Sequence, residues 1–152
     1  MKDYFFNLLE FDYWTNARLL AAMQGATEIP QRAQDLFNHL IAASRIWGSR
    51  MVGEMQDVEV WAKFDMANWQ QELDHNRALI GDFLHSIEEE DLNRKVHYYT
   101  TKGVSYETGI SDMLTHVIVH SAYHQGQIVS LIRPFLTDAP DLNYITYIRE
   151  KK

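Results

Sequence analysis

Three histidines recur one helical turn apart in the run Thr115-His116-Val117-Ile118-Val119-His120-Ser121-Ala122-Tyr123-His124-Gln125-Gly126-Gln127. Residues four apart on a helix differ by about 40° in direction and about 6 Å in height, so their side chains point the same way. Two imidazoles so placed can share one metal ion without bending the backbone. Seven histidines scattered over 152 residues would give about 0.3 pairs at this spacing by chance. Here two pairs follow in series. A further histidine, His39, falls between Leu36 and Ala43 on the apolar stripe of an earlier segment.

Burying imidazoles costs free energy unless each finds a partner, and a divalent cation partners several at once. One histidine from one helix and an i,i+4 pair from another supply three nitrogens. A coordination position then stays free for water or substrate, as in catalytic rather than closed structural sites. The same spacing also suits core histidines bonded to backbone carbonyls or to a neighbour such as Tyr123. Spacing alone leaves both readings open. His75, His85 and His97 are expected at solvated or hairpin positions.

Other chemistries fail on residue type. Val117 and Ser121 follow the first histidine of each pair, so the H-E-x-x-H pattern of metalloproteases is missing. A di-iron bundle needs two Glu-x-x-His pairs on different helices, and only Glu72-Leu73-Asp74-His75 has that spacing. Asp112 precedes His116 by four residues rather than three, and Glu88-Glu89-Glu90 reads as a solvated helix end. There is no Gly-rich phosphate loop and no G-x-S-x-G turn. Cysteine is absent, which removes disulfides, thiolate zinc sites and a thiol nucleophile from the chain. A mononuclear site is what remains.

Four segments with helical periodicity must position these residues. The first, about residues 2–23, brings Leu9, Tyr13, Ala17 and Leu20 to one face, and Gly25 with Glu28-Ile29-Pro30 stops it. The second, about residues 31–53, aligns Leu36, Leu40, Ala43, Ile46, Trp47 and Met51. The third starts near Asn68, an expected N-cap with Gln71 three residues on, and carries Leu73, Ile80, Leu84 and Ile87. The fourth, about residues 108–133, presents Met113, Val117, Ile128 and Leu131, and Pro134 ends it. His116, His120 and His124 lie on or beside that stripe and are expected to face the interior. Residues 96–106 favour extended structure around a Lys102-Gly103 turn. The expected architecture is all-α, a four-helix bundle with a short β-hairpin between the third and fourth helices, forming one domain over residues 1–152.

Composition limits the partners. The chain is long enough for a hydrophobic core without disulfides or a structural metal. Its net charge of −7 opposes binding to a phosphate backbone, so nucleic acid is not expected. No apolar run reaches the roughly 18–20 residues of a membrane span. The opening Met1-Lys2-Asp3-Tyr4 lacks a secretion signal. A cytoplasmic location without membrane association is expected.

Several stretches resemble the DinB (DinB/YfiT-like) family of metalloenzymes, and the likeness covers nearly the whole chain. Asp12-Tyr13-Trp14-Thr15-Asn16-Ala17-Arg18-Leu19-Leu20 is similar to that family's aromatic-rich first helix. Leu36-Phe37-Asn38-His39-Leu40 with Arg45-Ile46-Trp47 and Arg50 is similar to its second. The run from Thr115 to Ile128 resembles its H-x-x-x-H-x-x-x-H-R-G-Q-I pattern, except that Gln125 stands where Arg is usual. Pro140-Asp141-Leu142-Asn143-Tyr144-Ile145 resembles its closing segment.

The resemblance implies one divalent metal, zinc or nickel, held by His39, His120 and His124, with His116 supporting them from behind. It implies a thiol S-transferase or a hydrolase acting on a small electrophilic molecule, with Tyr123, Gln127 and Asn16 as candidates to orient metal-bound groups. Without cysteine, any thiol must come from a low-molecular-weight cofactor. The alternatives are a non-catalytic metal- or ligand-binding bundle used in stress handling, and a structural bundle with satisfied core histidines. Family members commonly form homodimers, which Trp14, Trp61 and Trp69 would support if exposed.

Overall fold

The computed structural model describes residues 1–151. Helices α1 (Lys2–Gly25), α2 (Gln31–Val52), α3 (Trp69–Ser86) and α4 (Ile110–Ile132) form a bundle, with a short α5 (Tyr144–Glu150) after it. An antiparallel hairpin of β1 (Lys95–Tyr99) and β2 (Ser105–Gly109) joins α3 to α4, with Val96 opposite Thr108 and Tyr98 opposite Tyr106. α1 and α2 each pack against both α3 and α4. Consecutive helices α1 and α2 therefore sit across the diagonal of the bundle, and α2 is free to face α4 along its length.

The core is divided in two. Phe5, Leu9, Ile80, Leu84, Ile110, Met113 and Val117 pack together towards one end. Leu19, Leu20, Leu36, Phe37, Ile41, Trp69, Leu73 and Ile128 pack together towards the other. Between the two lies a layer of buried polar side chains: Asp12, Thr15 and Asn16 of α1, Arg45 and Ser49 of α2, Asn76 of α3, and Ser121 and Gln125 of α4. Arg45 is held there by Asn76 at 2.6 Å and by Glu72 at 2.6 Å. A buried cation needs such pairing to avoid the full loss of its hydration. Glu72, the acid of the lone Glu-x-x-His spacing, is thereby engaged, and His75 is exposed.

Helix ends follow local chemistry. Gly53 adopts φ 79°, and the N–H groups of Gly53 and Glu54 return to the Arg50 and Ser49 carbonyls at 3.3 and 2.9 Å. Only a residue without Cβ enters that left-handed closure cheaply. Gly103 does the same in the hairpin turn at φ 74°.

Several expectations need correction. Asn68 makes no capping bond; Asp65 instead accepts from the Ala67 N–H at 2.9 Å, and a 3-10 turn (Met66–Asn68) leads into α3. The second strand runs on to Gly109, which pairs with Lys95, so α4 starts at Ile110 rather than near residue 108. On α1, Tyr13 and Ala17 are only half-buried, and Asp12 and Asn16 take the interior positions because polar partners on α4 meet them there. Helix α5 was not foreseen, since seven residues are too few to show a periodicity. It docks through Tyr147, whose ring lies 5.6 Å from both Phe11 and Trp14 of α1.

Candidate metal centre

The interior face of α4 is Met113, Val117, Ser121, Gln125, Ile128 and Ile132. His116, His120 and His124 precede three of these by one position, a rotation of about 100°. They therefore occupy the shoulder that faces α2, not the interior as expected, because Ser121 and Gln125 fill the interior at that level. His120 and His124 are half-buried and His116 is exposed. Leu131 is likewise only half-buried.

His39 of α2 is buried and meets this shoulder. Its Nε2 lies 3.2 Å from His120 Nε2, which lies 3.2 Å from His124 Nε2. The ligand atoms of these three residues all fall within 4.8 Å of one another, a grouping that could hold a metal ion. His116 does not join it. Its ring lies 5.3 Å from His120 and 4.7 Å from Trp47, against which it packs.

The outer ring nitrogens decide where protons sit. His39 donates its Nδ1–H to the Val60 carbonyl at 2.8 Å, and His124 donates its Nδ1–H to Gln127 Oε1 at 2.7 Å. In the neutral imidazole, each then directs a bare Nε2 lone pair at His120 Nε2. One proton on His120 can satisfy one of these lone pairs and not both. Burial, aided by the neighbouring histidines, pushes the His120 pKa down to about 4. Burial also lowers His39, against the opposing bond from Val60, with His124 and Arg32 adding to the fall. His116, though exposed overall, is lowered by partial desolvation of its ring against Trp47 and by Arg50. His39 and His120 are thus neutral at pH 7, the state in which imidazole binds a cation.

The connection between α2 and α3, residues 53–65, forms one wall of the centre. Val60 supplies the carbonyl, and the Trp61 ring stacks on His39 at 4.1 Å and 19°. Asn38, beside His39, accepts from Trp69 Nε1 at 2.8 Å and from the Phe64 N–H at 3.3 Å. Arg45 reaches Asp57 at 3.6 Å. One helix therefore carries His39 and also ties down the segment that orients it. Val60, Trp61 and Asn38 were not anticipated as parts of a site. The one available signal was a polar Asn38 beside His39 within an apolar segment.

The three orienting candidates part company. Gln127 fixes His124 through the bond already described. Tyr123 is 64% exposed at the rim, its ring 5.1 Å from that of His124. Asn16 lies in the buried polar layer, donating to Asp12 at 3.1 Å and to Ser121 Oγ at 3.4 Å and accepting from Gln125 at 2.8 Å. Gln125 also donates to Thr15 and Ser121. Burial raises the Asp12 pKa to about 7, against hydrogen bonds from Ser121 and Asn16 that pull it down. Of the tryptophans, Trp69 is fully buried, Trp14 half-buried and Trp61 half-exposed over His39.

No helix among the described residues is long and apolar enough to cross a membrane. Over an alignment of 152 residues the chain is 22% identical to Protein DinB of Bacillus subtilis (strain 168), covering 88% of this chain and 87% of that one. The DinB family model matches residues 15–151, a span that takes in the C-terminal part of α1, the whole of α2, α3 and α4, and the three converging histidines. The chain belongs to the DinB family.

Proposed function

We propose that the protein is a metal-dependent enzyme in which His39, His120 and His124 hold one divalent cation, zinc or nickel. Its reaction is the transfer of a low-molecular-weight thiol to a small electrophile, or the hydrolysis of such a molecule. The observation that carries this reading is the convergence of three imidazole nitrogens with too few protons to satisfy one another. A cation satisfies all three. Tetrahedral zinc, with Zn–N near 2.0–2.1 Å, sets its ligand nitrogens about 3.3 Å apart, and two of the separations here are 3.2 Å.

When bound, such an ion lowers the pKa of a coordinated water or thiol towards neutrality. The chain's own residues do the rest. Val60 and Gln127 lock two tautomers, and loss of such support typically costs about 10–100-fold in metal affinity. Trp61 covers one side of His39 and excludes water there. Tyr123 offers a hydroxyl at the open rim, where a bound molecule would enter. With no cysteine in the chain, the thiol arrives as a second small molecule.

The test is elemental analysis of untagged protein and of His39→Ala, followed by turnover assays with thiol–electrophile pairs and activated esters. About one equivalent of zinc or nickel in the wild type and a large loss in the variant are expected. Equal metal content in both, or none in either after exposure to zinc and nickel, overturns the site. A metal-loaded protein that turns over neither substrate class overturns the enzyme reading in favour of a non-catalytic metal-binding bundle.

A further inference from the structure

A cleft of about 660 Å³ opens between the end of α2, α3 and β1, lined by Arg50, Asp82, Ser86, Arg94, Lys95 and His97 among others. That volume lies within the range of small-molecule sites. Its charge is opposite to that of the protein as a whole: Arg50, Arg94, Lys95 and His97 line it with one carboxylate, Asp82, in a chain of net charge −7.

Arg50 is the unusual member. Arg18, Arg45, Arg77 and Arg94 each face a carboxylate, and Arg32, Arg133 and Arg149, which face none among the described residues, are exposed. Arg50 is half-buried and, among the described residues, faces none; its guanidinium lies 4.7 Å from the Trp47 ring centre and 4.5 Å from that of Tyr98. Aromatic faces hold a guanidinium flat and dry while leaving its edge, with the N–H fork, unsatisfied. Desolvation accordingly lowers its pKa from the ordinary arginine value. A fork held in this way matches the two oxygens of a carboxylate or phosphate.

Arg50 shares α2 with His39 but lies well away from it. Trp47 packs on His116 at 4.7 Å, and His116 lies 5.3 Å from His120. Arg50 follows His39 by eleven residues on the same helix, about 16 Å along its axis. We infer that the Arg50 cleft is an oxyanion-binding site for the carboxylate or phosphate group of a small molecule. Its anion binding stands on the cleft and the unpaired arginine alone.

Calorimetric titrations of inorganic phosphate and of succinate, at constant ionic strength with chloride as control, test this on the protein as purified and after chelator treatment. Wild type is expected to bind at least one of the two anions, with affinity falling at least tenfold in Arg50→Met. Phosphate alone points to a phosphoryl ligand and succinate alone to a carboxylate, and either supports the site. The Arg50 Nε–H NMR resonance of the wild type is expected to shift on titration, a readout that survives if the variant misfolds. Binding no stronger than chloride, an unmoved Arg50 signal, or equal affinity in folded Arg50→Met overturns the inference. Anion binding that persists in metal-free protein keeps this outcome separate from the fate of the metal site.

Discussion

Replacing Asp12 with Asn isolates the energetics of the buried polar layer beneath the histidines. The carboxyl group is 7% exposed and meets no cation there. The layer gives it Asn16 and Ser121, and the small cavity beside it is lined by Ser44, Asn76 and Arg77, of which Arg77 is already paired with Glu10. Its pKa accordingly rises from 3.8 to about 7. Well below pH 4 the group is protonated in both the folded and unfolded chain. As pH rises, the unfolded chain ionises first while the folded one keeps its proton. Folded stability therefore falls by about 1.4 kcal/mol per pH unit until the folded group ionises too. The accumulated loss is on the order of 4 kcal/mol above pH 7.

Asparagine keeps the acceptor for Asn16 and has no charge to bury. The stability of Asp12→Asn minus that of wild type should therefore climb by about 4 kcal/mol between pH 4 and pH 8. The histidines pull the other way. His120, held near 4, adds stability as pH rises towards its ordinary value of 6.5, but it does so in both proteins and drops out of the difference. Urea unfolding at half-unit pH intervals with chelator present measures that difference directly. The absolute offset at low pH reflects how well the new amide bonds, so only the slope is diagnostic. A difference flat to within about 1 kcal/mol over this range would mean that Asp12 is ionised in the fold throughout, and the burial argument would fail.

Two further perturbations probe the supports of the centre. Asn38→Ala leaves the buried Trp69 indole N–H without its 2.8 Å acceptor and should cost about 1–3 kcal/mol in urea unfolding. A cost near zero would show that water replaces the amide. Gln127→Leu removes the acceptor that fixes the His124 tautomer and should weaken zinc binding about 10–100-fold in competition with a chromophoric chelator. Unchanged affinity would mean that His124 is oriented without it.

Much of the bundle was readable because helix periodicity is a local property. The stripes of α2 and α3 are buried where expected, from Leu36 to Met51 and from Leu73 to Ile87, apart from a half-buried Trp47. α1 was misread by one position in its middle. Tyr13 and Ala17 are more apolar than Asp12 and Asn16, yet the interior there is polar. Ser121 and Gln125 of α4 supply partners that no inspection of α1 alone reveals. The short α5 and the continuation of β2 to Gly109 are likewise set by what they dock against.

The centre was legible in part for the same reason. An i,i+4 pair lies within one helix, and a histidine inside an apolar stripe stands out. Periodicity does not say which pair on α4 meets His39, since His116–His120 and His120–His124 are equivalent by spacing. The choice comes from the offset between two antiparallel helices. His39 stands opposite His120 and His124, and Trp47, eight residues later, stands opposite His116. The Trp47 ring packs on His116 there, and His116 stays outside the trio. Val60 and Trp61 belong to a connection with no repeating pattern, and their position depends on Asn38 and Arg45 reaching across to tie it down. The two features that tune the centre most directly, a backbone carbonyl and a stacked ring, are thus contacts between segments, and no single segment encodes them.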